Sequence, residues 1–268
     1  MSDNNSNPQP SNPQPSNPRK SNEERVTRTL AIVSALMISV VLVLGLFVTG
    51  PDIVQGEVVR ILYIHPAIAW VAYVAFSITT FASIMWLLPK RRSLFWDQIA
   101  GASAEVGAVC TALTLLLGSI WGRTTWGVWW TWDGRTTSTA LLLFMYLGVL
   151  ALRRVPSTRE ARGRRSAVAS LIAFLDVPVV HFSVTWWRTL HQEPSVLKAD
   201  LFKPEVHGLQ LFTMLFSFVA FTVLYFWLLI LRYRVARWED ELGEGGLDRA
   251  IVERRAEGRM AATIGGVS

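Results

Sequence analysis

The sequence predicts an all-α, polytopic membrane protein: a bundle of six transmembrane helices with a tryptophan-rich interfacial segment at its outer face. Of its 268 residues, 51% are hydrophobic and 17% are charged, and the mean hydropathy is +0.33. The apolar residues form long blocks and do not alternate with polar ones, which is typical of membrane helices. The blocks expected to span the bilayer are 29–50, 66–88, 98–121, 136–152, 166–187 and 208–231.

Polar segments flank these blocks. Residues 1–27 repeat Ser-Asn-Pro-Gln-Pro and are expected to form a disordered cytoplasmic tail rich in proline and asparagine. The first block starts too late and is too long for a cleaved signal peptide, so a retained helix is expected. Residues 28–232 form the predicted membrane domain. Residues 233–268 are expected to be a charged, partly helical cytoplasmic tail with a turn at Gly243–Gly246.

The basic residues lie mostly on one side of the predicted membrane. Twenty of the 26 lysines and arginines fall in segments that share a side if both termini are cytoplasmic, and loops rich in positive charge favour that side. A multi-pass protein of the cytoplasmic membrane is therefore predicted, with loops 50–65, 121–135 and 186–207 outside. Because this bias explains the net charge of +6, the basicity does not indicate nucleic-acid binding.

Tryptophans concentrate in one outer loop. Five of the twelve lie within twelve residues, at Trp121, Trp126, Trp129, Trp130 and Trp132. Indole rings are flat and amphipathic, so the cluster favours a stacking platform for a planar apolar ligand with a polar edge, and haem is the best candidate. The spacing of Trp126, Trp129 and Trp130 predicts one face of a short helix along the membrane surface. The alternative is an aromatic belt that anchors the protein at the interface.

Histidines show the same one-sided placement. His65, His191 and His207 lie in or beside the outer loops, and His181 lies one to two turns deeper in the fifth block. Neutral imidazole is the usual protein ligand of haem iron. A single interfacial histidine is more often structural, but His65 and His191 lie at equal depth beside the tryptophan loop. They are the predicted axial ligands, with His181 as the secondary candidate.

Haem propionates require cations at the polar edge of such a site. Arginine donates two parallel hydrogen bonds to a carboxylate, and four outer arginines are candidates: Arg60, Arg123, Arg135 and Arg188. Any of them could instead be a juxtamembrane residue that reaches toward the lipid headgroups. Asp133 is expected to cap the following helix or to orient Arg135.

Two acidic residues fall within apolar blocks. Asp176 lies near the centre of the fifth block and Glu105 lies nearer the cytoplasmic boundary of the third. A mid-membrane charge costs about 2.5 to 3.5 kcal/mol, so Asp176 must face the bundle interior or be protonated. No further polar residue lies at helical spacing to complete a proton or cation path with either acid. Structural or partner-binding roles are therefore favoured. Pro178 is expected to kink the fifth helix.

The single cysteine excludes several functions. Cys110 cannot form a disulfide within the chain, and no Cys-x-x-Cys or Cys-x-x-Cys-His sequence is present. The chain therefore has no two-cysteine redox motif and no site for covalent c-type haem attachment to itself. It also has no Gly-x-x-x-x-Gly-Lys-Ser/Thr loop, so it is not itself an ATPase of that type.

Four sequence stretches carry a family resemblance. The stretch from Trp121-Gly to Trp132-Asp133 resembles the tryptophan-rich WWD signature of haem-handling proteins of cytochrome c biogenesis. Arg60-Ile-Leu-Tyr-Ile-His65, Gly118-Ser-Ile-Trp121-Gly and Pro178 to Gln192 resemble one branch of them, the cytochrome c maturation protein C family. The resemblance covers about residues 28–232.

This resemblance implies a role in haem transfer. His65 and His191 would be the axial ligands of a non-covalently held haem b, the loop from Trp121 to Trp132 would contact the porphyrin, and Arg60 and Arg135 would be the leading propionate partners. The implied activity is transfer of haem, at the outer face, to a membrane-anchored haem chaperone. The implied partners are the ATPase and membrane subunits of an ABC transporter, together with a small membrane subunit.

Other functions remain open at this stage. A haem lyase would attach haem to apocytochromes, but the longest outer loop, about 20 residues long by the span boundaries above, leaves little surface to hold one. A b-type electron-transfer cytochrome buries its ligands inside the bundle, where only His181 lies. A haem channel is a further alternative.

Overall fold

The computed structural model describes the backbone of residues 18–191 and 206–265, and within these ranges it is α-helical with no named strand. The α-helices are α1 Pro18–Val43, α2 His65–Leu87, α3 Leu94–Trp126, α4 Gly134–Arg154, α5 Arg159–Phe174, α6 Asp176–Trp186 and α7 Gly208–Gly265. Between α1 and α2 lie a short π-helix, Leu44–Val48, and a 3-10 helix, Glu57–Tyr63. Six helical stretches are long and apolar enough to cross a membrane, with α5 and α6 together forming the fifth. The predicted six-helix architecture is confirmed.

The centre of the bundle is the close packing of α2 on α3. Small residues allow this approach, because a Cβ atom at Gly107 would lie 2.5 Å from the Phe76 ring. Ser103 on α3 donates a hydrogen bond to the Ala75 carbonyl on α2 at 2.7 Å, and it is also 2.7 Å from the Tyr225 hydroxyl on α7. Small side chains and interhelical hydrogen bonds of this kind hold membrane helices together.

The fifth span is broken in the middle. The helical pattern of α5 ends at Leu175, whose N–H bonds back to the carbonyl of Ile172, and α6 starts at Asp176. Pro178 falls in the first turn of α6 and has no N–H to donate to the Phe174 carbonyl. The expected kink is therefore a break, and α6 packs on α4 while α5 packs on both α2 and α4.

A buried ion-pair network joins four helices at one end of the bundle. Asp97 on α3 is 2% exposed and accepts hydrogen bonds from Arg153 on α4 at 2.7 Å and Arg162 on α5 at 2.8 Å. Arg162 also pairs with Asp240 on α7 at 3.0 Å. Gly101 leaves room for the Arg153 guanidinium, since a Cβ there would lie 2.7 Å from it. We call this end the arginine face and the opposite end the histidine face.

The structure corrects three local expectations. Helix α1 begins at Pro18, so residues 18–27 of the expected disordered tail are helical. Helix α7 continues through Gly243–Gly246, where a turn was expected. The short helix expected at Trp126, Trp129 and Trp130 is wrong: α3 runs to Trp126 and stops at Gly127, whose φ of 78° is left-handed, a conformation that glycine adopts without steric cost.

Some expectations lie outside the described residues. They are the expected disorder of residues 1–17, the part of the outer loop at 192–205, and the last part of the charged tail at 266–268.

Candidate functional site: a two-histidine aromatic pocket

The histidine face contains one large cavity among α2, α3, α4, α6 and α7. Its volume is about 310 Å³, within the range of small-molecule sites. The site residues predicted from the sequence that line it are His65, His181, His191, Trp121, Trp126, Trp129, Trp130 and Arg135. Both predicted axial ligands therefore reach the same cavity, which we call the histidine pocket.

His65 enters the pocket as the first residue of α2. Pro66 follows it in the first turn, where a missing N–H leaves no helical bond unmade. The imidazole ring meets the Trp121 ring edge-on, with centroids 5.6 Å apart and planes at 88°. It also lies against Gly118, where a Cβ atom would be 3.1 Å from the ring. The Nδ1 atom of His65 is buried and has no hydrogen-bond partner in the described part of the chain.

His191 is held in place by Asp133. Its Nδ1 lies 2.9 Å from Oδ2 of Asp133, and its ring packs edge-on against Trp126, with centroids 4.9 Å apart. Burial lowers the pKa of His191, although the hydrogen bond and charge of Asp133 oppose this. The imidazole is therefore neutral at pH 7, with Nδ1–H donating to the carboxylate and Nε2 left as the free nitrogen.

Asp133 has a second structural task. Its Oδ1 accepts the backbone N–H of Thr136 at 2.8 Å, which caps α4. Its Oδ2 also accepts the hydroxyls of Thr189 at 2.7 Å and Thr131 at 3.0 Å. Burial would raise the pKa of Asp133, but these hydrogen bonds and His191 together lower it to about 2. Asp133 was expected to cap the following helix or to orient Arg135. The structure shows the cap, and the side chain that Asp133 orients is His191.

Of the four candidate arginines, one lines the pocket and three do not. Arg135 lines the pocket, and its Nη2 donates to the carbonyl of His181 at 3.1 Å. Arg60 is bound to Glu57 and to the carbonyls of Gly45 and Leu46. Arg123 donates to the Gly127 carbonyl and lies 6.0 Å from the Trp129 ring centroid, and Arg188 is exposed. These three arginines lie outside the pocket lining.

Of the five loop tryptophans, four line the pocket and one does not. Trp121, Trp126, Trp129 and Trp130 line the pocket. Trp132 is 85% exposed and contacts the edge of the Trp130 ring, with centroids 5.5 Å apart. Trp132 is therefore on the outer surface of the loop.

The remaining candidates have separate positions. His181 is half-buried at the deeper side of the pocket, with its ring 6.2 Å from that of Tyr73. His207 is exposed beside the start of α7. Glu105 pairs with Arg232 at 2.5 Å, which gives it a structural partner. Asp176 is buried, and its Oδ2 has no hydrogen-bond partner among the described residues.

Sequence reasoning missed several polar residues of the site, and three of them bind its predicted side chains. Gln55 lines the pocket and accepts the Nε1–H of Trp121 at 3.0 Å, and Thr131 and Thr189 bind Asp133. Thr131 lies two positions before the aspartate and Thr189 two before the histidine. Hydroxyl side chains at that spacing are a local signal for hydrogen bonding to a turn or cap.

Fold and pocket together define a class. The chain is a multi-pass membrane protein in which three histidines and five tryptophans line one cavity. A family described as heme exporter protein C matches residues 13–245, so the chain belongs to the heme exporter protein C family.

Individual relatives carry the same description. The heme exporter protein C of Haemophilus influenzae is 33% identical over 214 residues, which is 79% of this chain and 84% of the relative. The Escherichia coli K12 protein is 35% identical over 175 residues, covering 64% and 69%. The Bradyrhizobium diazoefficiens protein is 38% identical over 165 residues, covering 59% and 61%.

Proposed function

We propose that this chain is a membrane haem-binding and transfer protein of cytochrome c biogenesis. It holds haem b non-covalently at the extracytoplasmic face of the cytoplasmic membrane and passes it to a membrane-anchored haem chaperone. The observation that carries the proposal is the convergence of His65 and His191, from opposite ends of the sequence of the membrane domain, on one tryptophan-lined cavity.

The histidines suit iron ligation chemically. Metal-binding histidines must be neutral, and they usually donate their second ring N–H to a carboxylate or carbonyl. His191 meets both conditions through Asp133. His65 contributes an imidazole with a buried, unpartnered nitrogen at the same cavity. Together they supply two axial ligands for one iron.

The other walls suit the porphyrin. Trp121 packs edge-on against His65 and Trp126 packs edge-on against His191, so each imidazole lies beside an indole of the pocket wall. Arg135 supports a propionate contact because it is in the pocket wall and its Nε is buried without a partner among the described residues. We assign Arg135 this role ahead of Arg60, Arg123 and Arg188.

Partners and orientation follow from the resemblance and the charge pattern. The curated relatives are described as heme exporter proteins, which supports transport ahead of haem lyase activity. We propose that the chain is a subunit of an ABC-type haem export complex, beside separate ATPase and membrane subunits and a small membrane subunit. The arginine face is assigned to the cytoplasm with both termini, and the histidine face to the outside.

A visible absorption spectrum of the purified full chain tests the proposal. We expect a low-spin b-type spectrum that changes ligation in His65→Ala and in His191→Ala. His207→Ala is the matched control, because His207 is exposed and lies outside the pocket lining. An unchanged low-spin spectrum in both pocket variants, or no haem binding by the wild-type chain, contradicts the proposal.

A further inference from the structure

We infer that the two histidines are unequal iron ligands: Asp133 makes His191 the retained ligand, and His65 is the ligand that yields first when haem is handed on. This inference rests on the proposed function and adds an order to the transfer. It also assigns Asp133 as a positioning residue that acts through His191.

His191 is fixed at both its ring and its backbone. Asp133 accepts the ring Nδ1–H at 2.9 Å, while the Thr189 hydroxyl accepts the His191 backbone N–H at 3.1 Å. Thr189 in turn donates to the same Asp133 oxygen at 2.7 Å. Because Asp133 caps α4, the end of the 187–191 segment is tied to a helix start across 58 positions of sequence.

His65 has a different environment. Its Nδ1 has no hydrogen-bond partner, and no ion pair involves its ring within the described residues. The ring is placed by packing against Trp121, by the open space at Gly118 and by contact with the backbone of Thr114. An imidazole paired with a carboxylate is a stronger and better oriented donor, and loss of such a partner typically weakens metal affinity 10- to 100-fold. His65 has no carboxylate partner among the described residues, and the only backbone group that contributes at its ring is that of Thr114.

This difference between the two histidines sets the order of ligand exchange at the iron. The bond between iron and His65 would break, a ligand of the acceptor would donate its lone pair to the vacated position, and the oxidation state of the iron would be unchanged. His191 holds the iron throughout this step, so haem is never free in solvent. The bond to His191 breaks after the acceptor is ligated.

Haem transfer to apomyoglobin from the full chain in lipid nanodiscs tests this order. His191→Ala should lose haem about 10-fold or more faster than His65→Ala, by the affinity range of such partners. Added imidazole should restore a low-spin spectrum and near wild-type retention in His65→Ala, because His191 still holds the other side. A faster loss from His65→Ala overturns the inference.

A double-mutant cycle isolates Asp133. Asp133→Asn should speed transfer about 10-fold in the wild-type and His65→Ala backgrounds and have no further effect in His191→Ala, because coupling energy appears only between interacting residues. Asp133→Ser is the structural control, since serine still caps α4 but does not reach His191. It should reproduce the Asn effect on transfer while the apoprotein keeps its melting temperature to within a few degrees.

The outcomes separate the inference from the function. Absence of a two-histidine spectrum in the wild-type chain refutes the proposed function before any variant is compared. A normal wild-type spectrum with unchanged transfer in Asp133→Asn, or an equal acceleration in the His191→Ala background, refutes only the unequal-ligand inference. A lower midpoint potential in the wild type than in Asp133→Asn supports it, because a carboxylate-bound imidazole favours ferric iron.

Discussion

The indole N–H of Trp121 donates a hydrogen bond to the side-chain oxygen of Gln55 at 3.0 Å. This bond joins the end of α3 to the loop between α1 and α2. The loop is itself ordered by Asp52, whose carboxylate accepts the backbone N–H groups of Val54 and Gln55, each at 2.8 Å. Since the Trp121 ring contacts His65, the loop contributes to the position of a proposed iron ligand.

Replacement of Gln55 should therefore weaken the site. Gln55→Ala leaves the partly buried Trp121 N–H without its partner, which costs about 1–3 kcal/mol. We expect a lower melting temperature of the apoprotein and haem affinity reduced several-fold, measured by hemin titration. Gln210→Ala is the control, because its 3.4 Å bond to the Gly50 carbonyl is exposed. Equal effects of the two substitutions would contradict the role of Gln55.

Gly118 should be intolerant of a methyl group. A Cβ there lies 3.1 Å from the His65 ring, so Gly118→Ala displaces the imidazole and should alter the low-spin spectrum. Gly148→Ala on α4 is the matched control, because no atom lies within 4 Å of its Cβ position, and alanine in a helix is favoured by about 0.5–1 kcal/mol. A normal spectrum in Gly118→Ala would show that His65 does not ligate from this position.

Acid should release haem, with a midpoint below pH 6.5. Protonation of His191 removes its lone pair, and because burial lowers its pKa from 6.5, the neutral form persists to lower pH than for a free histidine. A release midpoint above pH 6.5 in a spectroscopic titration would contradict this. Gel filtration at each pH shows whether the fold is intact.

The apoprotein should lose stability over the same acid range. A group with a lowered folded-state pKa stabilises the fold above its unfolded pKa and loses that contribution as the pH falls through the folded value. For His191 the loss starts below pH 6.5, and for Asp133 it runs from 3.8 toward about 2. In melting curves across this range, Asp133→Asn should remove the lower part of the pH dependence.

The arginine face should depend on Asp97. Asp97→Ala leaves Arg153 and Arg162 without a shared carboxylate in a largely buried site, and breaking a buried pair costs about 3–5 kcal/mol. Glu160→Ala removes the exposed pair with Arg92 and should cost about 0–1 kcal/mol. Denaturant or thermal unfolding in detergent compares the two, and similar losses would contradict the burial argument.

Thiol labelling tests the orientation. In a Cys110→Ser background, a membrane-impermeant reagent should label Val54→Cys from outside intact spheroplasts, because Val54 is 91% exposed on the histidine face. Arg154→Cys on the arginine face should be labelled only after lysis. The reverse pattern would invert the assigned topology.

The six spans could be predicted because membrane crossing depends on local composition. Helix ends were less accessible to sequence reasoning. Helix α3 extends past residue 121 and stops only at Gly127, and in this last stretch the hydroxyls of Thr124 and Thr125 bond back to the Trp121 carbonyl. A helical tryptophan spacing alone did not reveal that Gly127 separates Trp126 from Trp129.

The site was predictable in its ligands and less so in their support. The positive-inside pattern placed His65 and His191 on one side, and the structure brings them to one cavity. The bond between Asp133 and His191 joins residues 58 positions apart, and no periodicity encodes it. For Arg60 a local signal was present: Glu57, three positions earlier, forms the ion pair that occupies its guanidinium.

The interruption at Leu175 divides the fifth span into two separate helices, α5 and α6. Because the backbone hydrogen bonds are interrupted there, α6 is not a rigid continuation of α5. Val180 and His181 in the pocket wall therefore lie on a different helix from Arg162, which pairs with Asp97 and Asp240. The break in the fifth span thus separates the wall of the histidine pocket from the ion-pair network of the arginine face.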